Sequence, residues 1–146
     1  MIVLDTTILV YSKGAEHELR DPCRALIEAI AAGTIQATTT PEVIQEFVHV
    51  RSQRRARRDA AELGRSFAEL LSPLLTIDEQ HLTTGLRLFE RHTSLGAFDA
   101  VLAAAAIDTG AEALVSADTS FGKVRSLNHV VPGTPTFERL LAGGSP

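Results

Sequence analysis

The run Ile2-Val3-Leu4, closed by Asp5, constrains this chain more than any other feature. Three consecutive apolar residues beside polar ones read as a short strand buried on both faces, and such strands belong to parallel sheets covered by helices. A carboxylate at the carboxyl end of that strand lies where open α/β sheets place their ligands. A second run, Ala113-Leu114-Val115-Ser116, leads to Asp118 in the same way. An aspartate after a strand is also an ordinary turn or helix-capping residue, so neither acid defines a site by itself.

The rest of the chain alternates in kind. The spacing predicts a short helix from Thr7, a helix opened by Asp21-Pro22 and closed by Gly33, and a strand near Ile35 to Thr38. Thr40-Pro41 opens a further helix, since threonine caps and proline suits the first helical position. Another helix ends near Ser72, an apolar run covers Leu74 to Ile77, and Asp78 caps a helix to about Arg91. A helix containing Asp99, a weak strand at His129 to Val131 and a terminal helix after Pro135 complete the expectation. Alternation of this kind predicts an α/β fold, a central mostly parallel sheet with helices on both faces.

Two further acids fit the position of Asp5 and Asp118. From Gly96 to Ile107 the chain reads Gly-Ala-Phe-Asp-Ala-Val-Leu-Ala-Ala-Ala-Ala-Ile, which leaves Asp99 as the one polar side chain of a helix packed on nearly every side. An unpaired charge there is expensive to bury, so Asp99 sits in the first turn or points into a polar cleft. On the Thr40 helix, Val43, Ile44, Phe47, Val48 and Val50 share a face, and Glu46 falls at its edge while Glu42 lies further round. Asp5, Glu46, Asp99 and Asp118 gathered in one cleft would repel one another unless a cation sat among them. Mg²⁺, with Mn²⁺ as a substitute, is the expected ion, because hard cations prefer oxygen ligands. Thr7 and Ser116 are hydroxyls placed to orient an acid or a water beside it.

Five of the eight residues from Arg51 to Arg58 are arginine. Counted along one helix, Arg51, Arg54, Arg55 and Arg58 form a stripe suited to phosphate, although a solvated face reads the same way. Leu63, Phe67, Leu70 and Leu71 would point away from the earlier apolar face, which predicts a break between Ser52 and Asp59 and a helical hairpin.

Length and composition narrow the classes. At 146 residues the chain is expected to form a single domain, 1–146, with one core. With 45% hydrophobic and 22% charged residues, neither disorder nor a fibre is suggested. The single Cys23 excludes an internal disulfide and reads as a core residue. His17, His49, His81, His92 and His129 lack metal-site spacing and read as surface or helix-end residues. A net charge of -4 is unusual for a general nucleic-acid binder, but much of it belongs to acids that a cation would neutralise. No basic leader precedes the first apolar run and no segment approaches about 20 apolar residues, so a cytoplasmic protein with no membrane association is expected.

The four acidic segments, Ile-Val-Leu-Asp-Thr-Thr around Asp5, Pro-Glu-Val-Ile-Gln-Glu-Phe at Glu46, Ala-Phe-Asp-Ala-Val-Leu at Asp99 and Leu-Val-Ser-Ala-Asp-Thr-Ser-Phe at Asp118, together resemble the acidic blocks of PIN-domain ribonucleases. More narrowly, the chain from Ile2 to about Val131 resembles the VapC toxins of bacterial toxin–antitoxin pairs. That resemblance implies a metal-dependent endoribonuclease acting on structured RNA such as transfer or ribosomal RNA, a cognate VapB-like antitoxin that blocks the site, and a homodimer. Two positions depart from the family pattern. Ser120 stands where many relatives carry another acid, which bears on a second metal site, and Thr7 stands where relatives often carry Asn or Ser.

Other classes fit less well. A receiver domain needs a phosphoacceptor aspartate at a mid-chain strand, where this chain is helical and arginine-rich, and a haloacid-dehalogenase-like phosphatase wants Asp-x-Asp where Thr7 stands. A catalytically silent PIN-like module that binds RNA or protein is the remaining alternative.

Overall fold

The computed structural model describes residues 1–144 and 146. Its elements run β1 (Ile2–Leu4), α1 (Thr6–Ser12), α2 (Arg20–Ala31), β2 (Ala37–Thr38), α3 (Pro41–Ser52), α4 (Arg57–Leu70), α5 (Glu79–Arg91) and α6 (Ala97–Asp108). There follow β3 (Ala113–Val115), a 3₁₀ helix (Thr119–Lys123), β4 (His129–Val130) and α7 (Pro135–Leu141). All strand pairs are parallel, in the order β2-β1-β3-β4. Every residue of β1 and β3 is at most 1% exposed. Since successive side chains of a strand point to opposite faces, both faces of the sheet are covered.

The strand order fixes where a ligand can enter. The connection leaving β1 goes to β2 on one side, and the chain then returns past β1 to β3 on the other. Adjacent central strands that diverge in this way open a crevice at their carboxyl ends. Asp5 follows β1 there, and Ser116 to Asp118 follow β3.

Local chemistry sets the helix starts. Asp5 caps α1 by accepting from Thr7 N, Thr40 caps α3 with Pro41 at the first helical position, and Asp78 and His81 form a reciprocal capping box on α5. α2 begins at Arg20, just ahead of the Asp21-Pro22 start. Leu74 to Ile77 joins no strand, meeting the end of β2 through a single bond from Leu75 N to Thr39 O (2.9 Å). The helical hairpin forms between α3 and α4. Phe47 and Phe67 meet edge to face at 5.0 Å across it, which holds the two apolar faces together without glycine or proline at the turn.

α5 and α6 cross closely at Gly85. A Cβ there would stand 2.7 Å from Val101 Cα and 2.9 Å from Val101 N, so backbone would have to move. Gly85→Ala gains about 1 kcal/mol in helix propensity, but forcing two helices apart costs about 1–3 kcal/mol. The substitution is therefore expected to lower the melting temperature, measured by circular dichroism; an unchanged or raised value would show that the helices separate freely.

Candidate active site

Asp5 is 4% exposed, and the hydrogen bonds around it tie the ends of β1 and β3 together. Its Oδ2 accepts from Ser116 Oγ at 2.7 Å, Thr7 Oγ1 at 2.7 Å and Thr7 N at 3.2 Å. Each hydroxyl also accepts from the turn after β3: Thr7 Oγ1 from Ala117 N at 3.0 Å, and Ser116 Oγ from Asp118 N at 2.9 Å. With its proton given to Asp5 and one lone pair engaged by backbone, each hydroxyl is held from two sides. Three donors fix one oxygen of Asp5, while Oδ1 has no protein hydrogen-bond partner among the described residues.

The other acids reach the same cleft from separate elements. Glu46 comes from α3, and Thr6 Oγ1, at the start of α1, donates to its Oε2 at 2.6 Å. Asp99 lies in the first turn of α6 and Asp118 caps the 3₁₀ helix by accepting from Ser120 N at 2.8 Å. All four carboxylates line one cleft of about 320 Å³, together with Thr6, Thr7, Val10, Tyr11 and Val50. No lysine or arginine lines it. Burial first, and then the charges of Asp5, Asp118 and Glu46, push the Asp99 carboxyl up to about 6, against a smaller opposing effect of the Gly96 N–H.

Such a donor set fits a hard divalent cation. Oxygen ligands, an excess of negative charge and an unengaged carboxylate oxygen on Asp5 are what Mg²⁺ or Mn²⁺ requires. Among the described residues no three of these groups converge tightly enough to enclose an ion by themselves. Mg²⁺ needs no such enclosure, since it keeps several waters and takes one or two carboxylates plus substrate phosphate oxygens.

Beside the cleft runs an apolar groove of about 590 Å³, which shares Asp5, Glu46 and Asp99 with it and is walled by Ile77, Leu82, Leu86 and Phe98. Phe98, next to Asp99, is 81% exposed. Sequence reasoning missed this groove. Its Leu82 and Leu86 lie one turn apart on α5 and stay exposed, about 100° round the helix from buried His81 and Gly85.

The arginines do not form the expected stripe, because the helix ends at Ser52 and resumes at Arg57. Arg51 is engaged within the fold: it makes a paired contact with Asp59 (2.6 and 3.3 Å), and its Nη1 donates to Lys13 O at 3.1 Å. It braces the hairpin against the end of α1, and holds the Asp59 carboxyl below its usual range. Arg58 pairs with Glu62 one turn along α4, while Arg54 and Arg55 are exposed in the connecting turn. None of the four lines the acidic cleft.

Among the other candidates, Cys23 is wholly buried with its thiol pushed up to about 12 by burial, as a core residue should be. Ser120 is buried beneath the Asp118 turn, and its Oγ has no partner among the described residues. His129 departs from the surface or helix-end expectation. It is a half-buried residue of β4 whose Nε2 lies 3.1 Å from Ser116 O, and burial holds its imidazole below the usual range, against the smaller raising effects of Ser116, Asp118 and Asp5.

Residues 2–127 match the PIN domain family. Ribonuclease VapC7 of Mycobacterium tuberculosis (strain ATCC 25618 / H37Rv) is 54% identical over 145 residues, covering 97% of this chain and 98% of that protein. Ribonuclease VapC23 of the same strain is 33% identical over 102 residues, 68% of this chain and 78% of that one. Among solved structures, VapBC2 from Rickettsia felis, bound to a DNA fragment from its promoter, aligns with a TM-score of 0.70 over 90% of this chain and 99% of that one, at 19% identity.

Proposed function

Because the chain belongs to the PIN-domain family, in its VapC branch, we propose that it is a metal-dependent endoribonuclease, the toxin of a VapBC-type pair. The observation that carries this reading is the gathering of Asp5, Glu46, Asp99 and Asp118 on one cleft, close enough for the other three to raise Asp99. These acids would hold Mg²⁺ or Mn²⁺, directly or through water. The bound cation would supply positive charge to the phosphodiester oxygens and make a nearby water more acidic. The chain's own residues set the geometry. Thr7 and Ser116 hold Asp5 through Oδ2 and leave Oδ1 without a protein partner among the described residues, Thr6 fixes Glu46, and Asp118 is held by its own capping bond.

The substrate is RNA, cut in unpaired segments of structured molecules such as transfer or ribosomal RNA, because folded RNA exposes its bases there. A VapB-like antitoxin is the expected partner. The groove beside the cleft suits an apolar segment with a basic residue reaching the acids, which would occupy the cation's place. The exposed Phe89, outside that groove, supports a homodimer. Action in the cytoplasm follows from the substrate; among the described residues no helix is long and apolar enough to cross a membrane.

The experiment is to incubate the purified chain with total RNA and Mg²⁺ or Mn²⁺ and to map the new ends by sequencing. Discrete cuts that disappear with excess EDTA are expected, together with growth arrest on expression that the antitoxin relieves. Cleavage undiminished in EDTA would remove the metal from the mechanism. RNA binding without cleavage at any Mg²⁺ or Mn²⁺ concentration would favour the catalytically silent module.

A further inference from the structure

The β3–β4 ladder lacks one donor at the edge of the acidic cleft. Along this pair, Leu114 lies opposite His129 and Val115 opposite Val130. Alternate residues of β3 bond to β4: Leu114 N donates to Asn128 O at 2.8 Å, and Ser116 N donates to Val130 O at 3.1 Å. Continued by one step, that register assigns Ser116 O to the backbone N–H of residue 132. Residue 132 is proline and has no N–H.

His129 fills the gap from within the same strand. Its Nε2 stands 3.1 Å from Ser116 O. A carbonyl only accepts, so the ring proton must be on Nε2. The ring is kept in place by Phe121, with centroids 5.8 Å apart. Ser116 is wholly buried, and a buried carbonyl left without a donor would cost about 1–3 kcal/mol.

Ser116 is also the residue on which the cleft turns. Its Oγ donates to Asp5 and accepts from Asp118 N. Where its backbone sits therefore decides both the orientation of one acid and the start of the turn carrying another.

We propose that His129 is a positioning residue of the acidic centre, its Nε2–H replacing the backbone donor that Pro132 lacks and so fixing Ser116 against Asp5 and Asp118. This role rests on the cleft being the reaction centre, and it acts through Ser116 without contact with substrate. Supporting metal-site residues of this kind change metal affinity by about 10- to 100-fold when removed.

The test compares His129→Leu, which keeps bulk and loses the donor, with His129→Gln, which keeps an N–H near the position of Nε2. Two readouts are taken: the dissociation constant for Mn²⁺ alone, and amide hydrogen exchange at Ala117 and Asp118. His129→Leu is expected to weaken Mn²⁺ binding by about 10- to 100-fold and to speed exchange at both amides, with His129→Gln close to the wild type. Adding Pro132→Ala to His129→Leu restores a backbone N–H at the vacant ladder position and is expected to recover both properties. Should His129→Leu alone not fold, the double variant is read in its place. Wild-type Mn²⁺ affinity and unchanged exchange in His129→Leu would overturn the proposal, as would a His129→Gln variant or a double variant as impaired as the leucine. A wild type that binds no Mn²⁺ would defeat the metal chemistry instead, and the exchange comparison would still decide the role of His129.

Discussion

Asp5→Asn is expected to lower RNA cleavage by on the order of 10³-fold, the scale of losing one pre-organised electrostatic group from a reaction centre, while the chain still folds. The reason lies in how the two oxygens of Asp5 are used. Oδ2 is committed to Ser116 and Thr7, so only Oδ1 is available to the cleft. In asparagine the carbonyl oxygen keeps the three donors satisfied, and the amide nitrogen then stands where Oδ1 was. Two N–H donors then replace a free acceptor oxygen, and the negative charge is gone. Folding is spared because asparagine caps a helix as well as aspartate does, so α1 keeps its start, and because removing one of four like charges relieves repulsion. End mapping of RNA, with circular dichroism on the same sample, checks both halves. Full cleavage by a folded Asp5→Asn protein would remove Asp5 from the mechanism.

What the sequence reveals about this fold depends on how local the cause is. β1 and β3 are legible because central parallel strands are apolar on both faces and end on polar residues, here Asp5 and Ser116. The starts of α3 and α5 are legible because Thr40-Pro41 and Asp78 act on their own first turns. Glu46 can be placed at the edge of the apolar face of α3 because helix geometry sets it beside Val43, which is buried, and Val50, which is half-buried. The arginine stripe misleads for the opposite reason. Helical counting from Arg51 to Arg58 assumes a continuous helix, whereas Arg51 is drawn to Asp59 on the next helix and to Lys13 O from a distant part of the chain. β2 and β4 fall inside the strands expected at Ile35 to Thr38 and His129 to Val131, at two residues each, whereas the 3₁₀ helix depends on Asp118 turning back to Ser120 N.

His129 marks the limit of spacing arguments. No motif surrounds it, and its place in the site needs three facts together: the register of β4, the missing N–H of Pro132 and the burial of Ser116. The groove beside the cleft is similar. Leu82 and Leu86 look like part of an ordinary core stripe until α5 is seen to pack on α6 through Gly85 instead. In both cases the information is in the sequence, but only the tertiary arrangement says which of several equal patterns is used.

Asp99→Asn should stabilise the metal-free protein at pH 7, and the gain should vanish in acid. The carboxyl of Asp99 is pushed from 3.8 up to about 6 by burial and by its three acidic neighbours. A folded-state value above the unfolded one means that the acid's contribution to stability is fully present below about pH 4 and is lost as pH rises through about 6. Above that, the native state carries a charge it would shed if it could. At about 1.4 kcal/mol per unit the full penalty approaches 3 kcal/mol, and partial solvent screening reduces it to about 1–2 kcal/mol. Opposing this, asparagine loses the attraction between a charge and the start of α6, worth about 0.3–1 kcal/mol. Burial and repulsion together outweigh that loss, so the melting temperature at pH 7 in EDTA should rise by a few degrees over wild type and converge with it near pH 4. Adding Mg²⁺ should reverse the order, because binding to the native state stabilises only the protein that retains its ligand, and because protons compete for that ligand the wild-type affinity should fall as pH drops below about 6. Unfolding curves at several pH values, with Mg²⁺ or with EDTA, measure all of this on two proteins. Equal stability of the two at pH 7 in EDTA would mean that Asp99 is neither desolvated nor crowded by the other three acids, and the electrostatic argument for a cation in the cleft would fall with it.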